Sequence, residues 1–409
     1  MRAARVDSED MANDAGGKQI VIIGCGPAGL VVANGLAGAS AARKVQVTFL
    51  EKKDHVDLCV PQPRSLVNGP FASETLMVHD RALAGAGKLK PKLVNVADIL
   101  SVGDGSIAFT TRDGQQATLR ADAIVIATGS SYKGEFIKNN AGLLKDEWLQ
   151  KMATFREAAG RARHILIIGG GPTGVELAGE LATEHPTCKV TIVTKGQTLA
   201  NFDAKGHKAA LAGLKTLPGT VQVLTGDSVT AEEALVCSPP KTLVTANGVT
   251  LPDVDMVIQC AGVTPNTGFI AADKLNASKF LVVDDTLQVP TLTSAQCPVF
   301  AVGDVTHCGW GRFMVAEAMA KACVKNIFNL ANGKPFKKVY DTNKKPFLPV
   351  IMTLGRKQGV ASVPWANNWL GRWLKAPAMI TPMLWGNLGV KGFVLSAAAK
   401  GPSPITTPA

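Results

Sequence analysis

One pattern occurs twice in this chain and constrains its fold more than any other feature. A short apolar run, Lys18–Ile23, leads into Gly24-Cys25-Gly26-Pro27-Ala28-Gly29, a small-residue helical stretch to about Ser40 and a second apolar run at Val45–Leu50. The same order recurs at Ile165–Ile168, Gly169-Gly170-Gly171-Pro172-Thr173-Gly174, the stretch VELAGELATEH and a run at Val190–Thr194. Each copy reads as strand, glycine turn, helix, strand. The first glycines lie 145 residues apart, which is the spacing of domains and not of a solenoid. A chain of 409 residues has room for two or three domains.

The glycines have separate tasks. The first permits the tight turn, the second lets backbone approach a pyrophosphate, and the third lets helix and strand pack closely. The helix N-terminus then offers N–H groups and the positive end of its dipole. Each copy later has another strand ending in small residues: Ala123–Ala127 before Thr128-Gly129, and Val254–Gln259 before Cys260-Ala261-Gly262. A further run, Pro298–Val302, ends in Gly303-Asp304 and precedes an alanine-rich helix from about Phe313 to Leu330. The reading is an α/β fold with two Rossmann-like dinucleotide-binding domains plus a C-terminal piece. Residues 18–135 and 270–333 form an FAD-binding domain, 136–269 an inserted NAD(P)H-binding domain, 334–409 a third piece, and 1–17 a disordered lead.

Two dinucleotide sites in one chain point to electron transfer between FAD and NADH or NADPH. In the first copy the second strand ends at Glu51, whose carboxylate suits ribose hydroxyls. The first turn (Gly24, Gly26, Pro27, Ala28, Gly29), Glu51, Thr128 and Gly129 are therefore candidate FAD contacts. Asp304, at a strand end before a helix, suits a ribitol hydroxyl, or it is a helix N-cap. The second copy ends in Thr194-Lys195 with no acid, so Lys195 tolerates or binds a 2′-phosphate, or is a solvated loop cation. Gly169, Gly171, Gly174, Lys195 and Gly262 are candidate NAD(P)H contacts. Glu176, two residues past Gly174, is the candidate catalytic group beside the reacting rings; the alternative is a charge on the helix dipole.

Of the eight cysteines no two have the spacing of a redox or zinc CxxC pair, and the six histidines show no ligand spacing, so no metal is proposed. The thiols are read as reduced, in an intracellular protein. The N-terminus lacks an apolar signal region, Arg2 excludes the myristoylation motif, and no apolar run reaches about 18 residues. The net charge of +11 would suit an acidic partner, but 331–409 hold 11 of the 43 Lys and Arg and one of the 32 Asp and Glu. The body is thus nearly neutral, which argues against nucleic acid. In the tail Trp365, Trp369 and Trp373 recur at helical spacing near Arg372 and Lys375, with Trp385 beyond. Tryptophan beside cations suits a membrane interface; the alternative is packing on the protein body or a homodimer face. Pro364 and Pro377 limit such a helix to lying on a bilayer rather than spanning it.

The segments GCGPAG, ATG at 127–129, GGGPTGVELAGE at 169–180 and AVGD at 301–304 resemble the pyridine nucleotide-disulfide oxidoreductase superfamily of two-dinucleotide-binding-domain flavoproteins. HPTCKVTIV and FLPVIMTLGRKQGV are similar to its apoptosis-inducing-factor-like, ferroptosis suppressor protein branch. The resemblance covers about 18–375. It implies non-covalent FAD, oxidation of NAD(P)H by a ping-pong route, and delivery of electrons to a ubiquinone- or naphthoquinone-type acceptor at a membrane surface. By position it matches Arg64 to an arginine near the FAD pyrophosphate and Val94 to a backbone contact of the adenine. Leu66–Pro70 and Ala316–Lys321 depart from the branch, so no quinone pocket carries over. The resulting expectation is a cytoplasmic, peripherally membrane-associated NAD(P)H:quinone oxidoreductase. Alternatives are a soluble reductase of a ferredoxin-like protein or of monodehydroascorbate, and a redox-gated nucleic-acid-binding protein.

Overall fold

The computed structural model describes residues 17–38, 44–137, 142–309, 311–344, 350–356, 358–362 and 377–388, together with 390, 393 and 396. In chain order the first region contains β1 (Lys18–Ile23), α1 (Pro27–Leu36), β2 (Val45–Glu51), β3 (His55–Asp57), α2 (Gln62–Val67) and α3 (Gly69–Glu74). It continues with β4 (Leu76–Val78), α4 (His79–Leu83), β5 (Lys92–Gly103), β6 (Ser106–Thr111), β7 (Gln116–Arg120) and β8 (Ala123–Ile126). After β9 (Ser130–Tyr132) come α5 (Lys145–Arg161), β10 (His164–Ile168), α6 (Pro172–Glu184), β11 (Lys189–Thr194), α7 (Ala204–Lys215) and β12 (Val221–Thr225). The rest is β13 (Lys241–Val244), β14 (Thr250–Val254), β15 (Met256–Gln259), β16 (Val263–Pro265), β17 (Val299–Ala301), α8 (Phe313–Ala331), β18 (Val350–Leu354), β19 (Gln358–Ser362) and α9 (Pro377–Asn387).

The first sheet runs β17-β8-β1-β2-β5-β6-β7. Its strands from β17 to the start of β5 are parallel; the rest of β5 turns into an antiparallel meander with β6 and β7. The central strands are near-continuous Ile, Val and Ala because both faces are covered, as parallel sheets require. Helices α1 and α8 pack so closely that a Cβ on Gly35 would lie 2.7 Å from Val324 Cγ2. The second sheet, β12-β11-β10-β15, is all parallel. In both sheets the chain winds outward one way and then crosses to the other side of the first strand. The crevice at that switch point, outside the carboxyl ends of the strands, is where such sheets hold ligands.

The expected single strand over 254–259 divides at Asp255. Its carboxylate accepts from the N–H groups of Arg163 (2.9 Å) and His164 (3.2 Å), while its own N–H donates to His164 O (3.1 Å) and its carbonyl accepts from Cys237 N–H (2.8 Å), so the chain changes partners at this residue. β14 then forms an antiparallel hairpin with β13, and β15 joins the parallel sheet.

β9 and β16 form an antiparallel ribbon that carries the chain into and out of the second sheet. The two regions share more than this ribbon. Leu66, Val67, Ala72 and Leu76, from the segment around α2 and α3, lie in one buried apolar cluster with Trp148 and Phe155 of α5 and with Ile165 and Ile167 of β10.

The C-terminal piece is divided between the two regions. The β18–β19 hairpin sends Met352, Leu354 and Val360 into that second cluster. It seats on glycines: a Cβ on Gly179 would be 2.7 Å from Gly355 N, and one on Gly213 would be 2.4 Å from Leu354 Cδ1. In α9, Leu384 and Trp385 join the core of the first region, and Trp385 Nε1–H donates to Glu74 O at 3.0 Å. Trp385 therefore packs on the body of the protein. Trp365, Trp369 and Trp373 lie outside the described residues. No helix among the described residues is long and apolar enough to cross a membrane.

Candidate active site

The two glycine turns are built alike. Gly24 N–H donates to Leu50 O and Gly169 N–H to Val193 O, both at 2.9 Å. Both lead glycines have positive φ, +100° and +118°, and a Cβ on either would sit 2.7 Å from backbone of the next strand's end, Ala127 or Cys260. The third glycines allow each helix to lie on its own turn: a Cβ would come 2.2 Å from Gly24 O at Gly29 and 2.0 Å from Gly169 O at Gly174.

The middle glycines differ in kind. Gly26 and Gly171 have extended backbone that any residue adopts (φ −76° and −68°), and a Cβ on either would meet nothing within 4 Å. The protein itself has no need of glycine there. The open space lies in front of two helix N-termini that carry no side-chain cap and have proline in the first turn. Uncapped N–H groups facing a clear approach form an anion cradle, so these residues fit the pyrophosphates of two dinucleotides.

Around the first turn, Glu51 is buried at the end of β2. Its Oε2 accepts from Cys25 N–H at 2.5 Å and its Oε1 from Lys53 N–H at 3.0 Å, which holds the carboxylate against the glycines. Val94 pairs with Leu50 in the ladder and is one strand further out. Gly129 has φ +69°, and Thr128 is pinned to Asn266 by two bonds, Oγ1–H to Asn266 O and Asn266 Nδ2 to Thr128 O, each 2.8 Å. Asp304 follows Gly303, where a Cβ would touch Ala28 and Ala316 at 3.3–3.4 Å, so the third strand end closes on the first turn. Gly24, Gly26, Pro27, Ala28, Gly29, Glu51, Thr128, Gly129 and Asp304 thus gather at one carboxyl edge.

Arg64 is turned elsewhere. Its Nε and Nη2 donate to Glu180 Oε1 at 3.0 and 2.6 Å, and Nη2 also donates to Gly355 O at 3.0 Å. The polar contacts that the structure gives this guanidinium are with α6 and the C-terminal hairpin, and it lies 5.9 Å over the Phe71 ring of α3; none of these is with the glycine turn of the first region.

At the second edge, Gly262 has φ +79° and lies beneath the stem of Lys133, and Lys195 is exposed just past β11. Tyr132 of the ribbon reaches the second turn, its hydroxyl 3.2 Å from Thr173 Oγ1. Glu176 is buried on α6, where its Oε1 accepts from Thr353 N–H (3.0 Å) and Oγ1–H (3.3 Å). Sequence reasoning missed the partners of this helix. Glu176, Glu180 and Glu184 recur every four residues and so share one face, and Glu184 pairs with Arg356 of the hairpin turn. That spacing was the available signal.

Seven of the eight thiols are buried, and Cys59 is half-buried. Burial, and then the Glu51 carboxylate, push the Cys25 thiol well above its usual range. Burial likewise raises Cys260 and Cys323. All eight cysteines are free. Behind Glu51, His55 is fully buried with Nδ1 2.9 Å from Asp54 Oδ1, and Asp54 also accepts from Lys145 N–H at 2.8 Å. Burial, followed by the Lys53 charge, pushes His55 down to about 4.

Residues 18–321 match the model of the pyridine nucleotide-disulphide oxidoreductase family. The chain is 31% identical over 327 residues to oxidoreductase ptaL of Pestalotiopsis fici, covering 78% of this chain and 84% of that one. It is 24% identical over 344 residues to ferroptosis suppressor protein 1 of Xenopus tropicalis, covering 81% and 87%. Among solved structures, it is similar to NDH2 from Plasmodium falciparum in complex with NADH, with TM-score 0.68, 14% identity and coverage of 94% and 96%. It is also similar to the sulfide:quinone oxidoreductase of Aquifex aeolicus, with TM-score 0.61, 16% identity and coverage of 84% and 82%. With two equivalent pyrophosphate cradles in one chain, the protein belongs to the pyridine nucleotide-disulphide oxidoreductase family and works with FAD and NAD(P)H.

Proposed function

We propose that this protein is an FAD-dependent NAD(P)H:quinone oxidoreductase that works at a membrane surface. The observation that carries the reading is the pair of matched glycine turns, with the two middle glycines open to ligand, in a chain without a redox dithiol. The chemistry supplied by bound FAD is acceptance of hydride from NAD(P)H and delivery of two electrons to the acceptor. The chain's own residues bind and orient. The first turn and Glu51 hold the pyrophosphate and adenosine ribose of FAD, Asp304 meets its ribitol, and the second turn, Gly262 and Lys195 hold NAD(P)H. Glu176, buried at the start of α6, sets the polarity beside the reacting rings while fixed by Thr353. No protein nucleophile is required, which agrees with the burial of seven of the eight thiols.

The acceptor is the finer part of the proposal. A quinone is supported by the likeness to a sulfide:quinone oxidoreductase and by the resemblance to the ferroptosis suppressor branch. Docking is assigned to Trp365, Trp369 and Trp373 with the basic residues of 334–409, at the cytoplasmic side of a membrane. The test is steady-state NADH oxidation with ubiquinone and naphthoquinone analogues, a ferredoxin and ascorbyl radical. Turnover with quinones above the others supports the reading, and turnover with ferredoxin or ascorbyl radical alone refutes it. Liposome flotation of the triple variant Trp365→Ala, Trp369→Ala, Trp373→Ala tests the membrane part: undiminished binding to anionic vesicles refutes it.

A further inference from the structure

The surroundings of Arg64 form a junction between three parts of the chain that are remote in sequence. Arg64 comes from α2, in the FAD-binding region. Glu180 comes from α6, the helix that opens at the second glycine turn. Gly355 is the turn of the C-terminal hairpin. The Arg64 and Glu180 side chains are 9% and 2% exposed, and the fork of Arg64 is directional. The junction is reinforced on each side. Arg156 of α5 donates to Ser65 O at 3.1 Å. Thr353 is bound to Glu176, and Arg356 to Glu184. A Cβ on Gly355 (φ +65°) would lie 2.1 Å from Thr183 Oγ1 and 3.0 Å from Gly179 O, so the hairpin turn has one seat on α6. Beneath these bonds the apolar residues of α2 and α3 share the core of α5 and β10.

Domains that meet through small polar surfaces move relative to one another, and a large apolar interface removes that freedom. Here the interface is apolar, and an ion pair that tolerates little rotation is sealed inside it. The apolar contacts confine the domains to a narrow range of orientations but are themselves non-directional, so a directional bond inside them selects one orientation within that range. The fork is that bond.

We propose that Arg64 and Glu180 are positioning residues: they fix the orientation of the NAD(P)H-binding domain on the FAD-binding domain, so that the nicotinamide is presented to the flavin without a domain rotation. The inference rests on the proposed passage of electrons from NAD(P)H to FAD, and it assigns to Arg64 a role other than contact with the FAD pyrophosphate. The first variant is Arg64→Met with Glu180→Leu, which replaces the pair by apolar residues of similar size and leaves no buried charge unpaired. Its flavin-to-protein ratio stays at the wild-type value, as does reoxidation of chemically reduced flavin by quinone. Bleaching of the flavin by NADH slows by at least about tenfold, with half-saturating NADH changed by less than about twofold, because misorientation acts on the bound complex. Hydrogen exchange of α2 and β18 in the flavin-loaded protein accelerates. Glu180→Gln keeps an acceptor and the volume, and it slows bleaching by a smaller factor of about three.

Bleaching within about twofold of wild type in either folded variant overturns the proposal. So does loss of flavin with normal bleaching of what remains bound, the result that a pyrophosphate contact would give. If the double variant does not fold, the Glu180→Gln rate decides alone. If wild-type protein is itself not bleached by NADH, the functional reading fails, while the exchange measurement still decides whether the pair fixes the two domains.

Discussion

The contrast between Gly26 and Gly29 separates what the fold needs from what the ligand needs. At Gly29 an added Cβ lies 2.2 Å from Gly24 O. That is roughly 1 Å inside van der Waals contact, and relieving it means moving the helix off its turn, an overpacking cost of about 1–3 kcal/mol. At Gly26 the backbone already suits alanine and the Cβ meets nothing within 4 Å. Gly26→Ala should therefore leave the melting temperature of the flavin-free protein unchanged, or raise stability by about 0.5 kcal/mol through the unfolded chain. The methyl group nevertheless occupies the path by which backbone N–H groups reach the pyrophosphate. Losing one charge-assisted hydrogen bond costs about 1.5–3 kcal/mol, so FAD affinity should fall by between about tenfold and a hundredfold. The assays are thermal unfolding of the flavin-free proteins and equilibrium titration with FAD. Gly29→Ala should unfold earlier, and Gly26→Ala should unfold normally and purify pale. Full FAD binding by Gly26→Ala would refute the argument, as would equal destabilisation by the two substitutions.

The same argument moved to the second turn predicts that Gly171→Ala stays yellow and folded but needs about tenfold or more extra NADH for bleaching, which stopped-flow absorbance would show. His55 makes a pH prediction. Its folded value of about 4 lies below the ordinary 6.5, so the unfolded chain takes up the proton first. Stability is complete above about pH 6.5 and falls toward pH 4, by up to about 3 kcal/mol. Urea titrations at pH 7 and pH 4.5 on wild type and His55→Gln measure this, and an unchanged pH dependence in the variant would exclude His55 as the source. Lys195→Glu should raise half-saturating NADPH about fivefold more than half-saturating NADH by placing a like charge at the 2′-phosphate; equal effects on both would show that Lys195 is a solvated loop cation.

The parts of the site legible in the sequence are those fixed by local sterics. A strand that must turn into a helix around a phosphate needs glycines at set intervals, so both turns, Glu51 and the Gly303-Asp304 corner could be placed from short windows. The junction was not legible, because its partners are 116 residues apart for Arg64 and Glu180, 177 for Glu176 and Thr353, and 291 for Arg64 and Gly355. Nothing in the local pattern of Arg64 says which acid it meets. Trp385 illustrates the same limit: an indole near cations fits a bilayer or a core equally well, and only the position of Glu74 O decides. The break at Asp255 was hidden because Val254 and Met256 are both apolar, and the N–H groups that its carboxylate meets, those of Arg163 and His164, lie 92 and 91 residues away.

The ribbon of β9 and β16 has a consequence for how the chain is made. β8 pairs with β17, and between them lies the whole second sheet. As the protein leaves the ribosome, all four strands of that inserted sheet are out once residue 259 has emerged, whereas the N-terminal sheet still lacks its edge until 299–301. The region synthesised first is therefore the last that can be completed. The ribbon bears on this delay: pairing Val263 with Tyr132 and Pro265 with Ser130 brings the two ends of the insert side by side. The long excursion is thereby shortened to a loop of roughly 40 residues before β17 has to find β8, which lowers the entropy cost of closing it by about 1.3 kcal/mol.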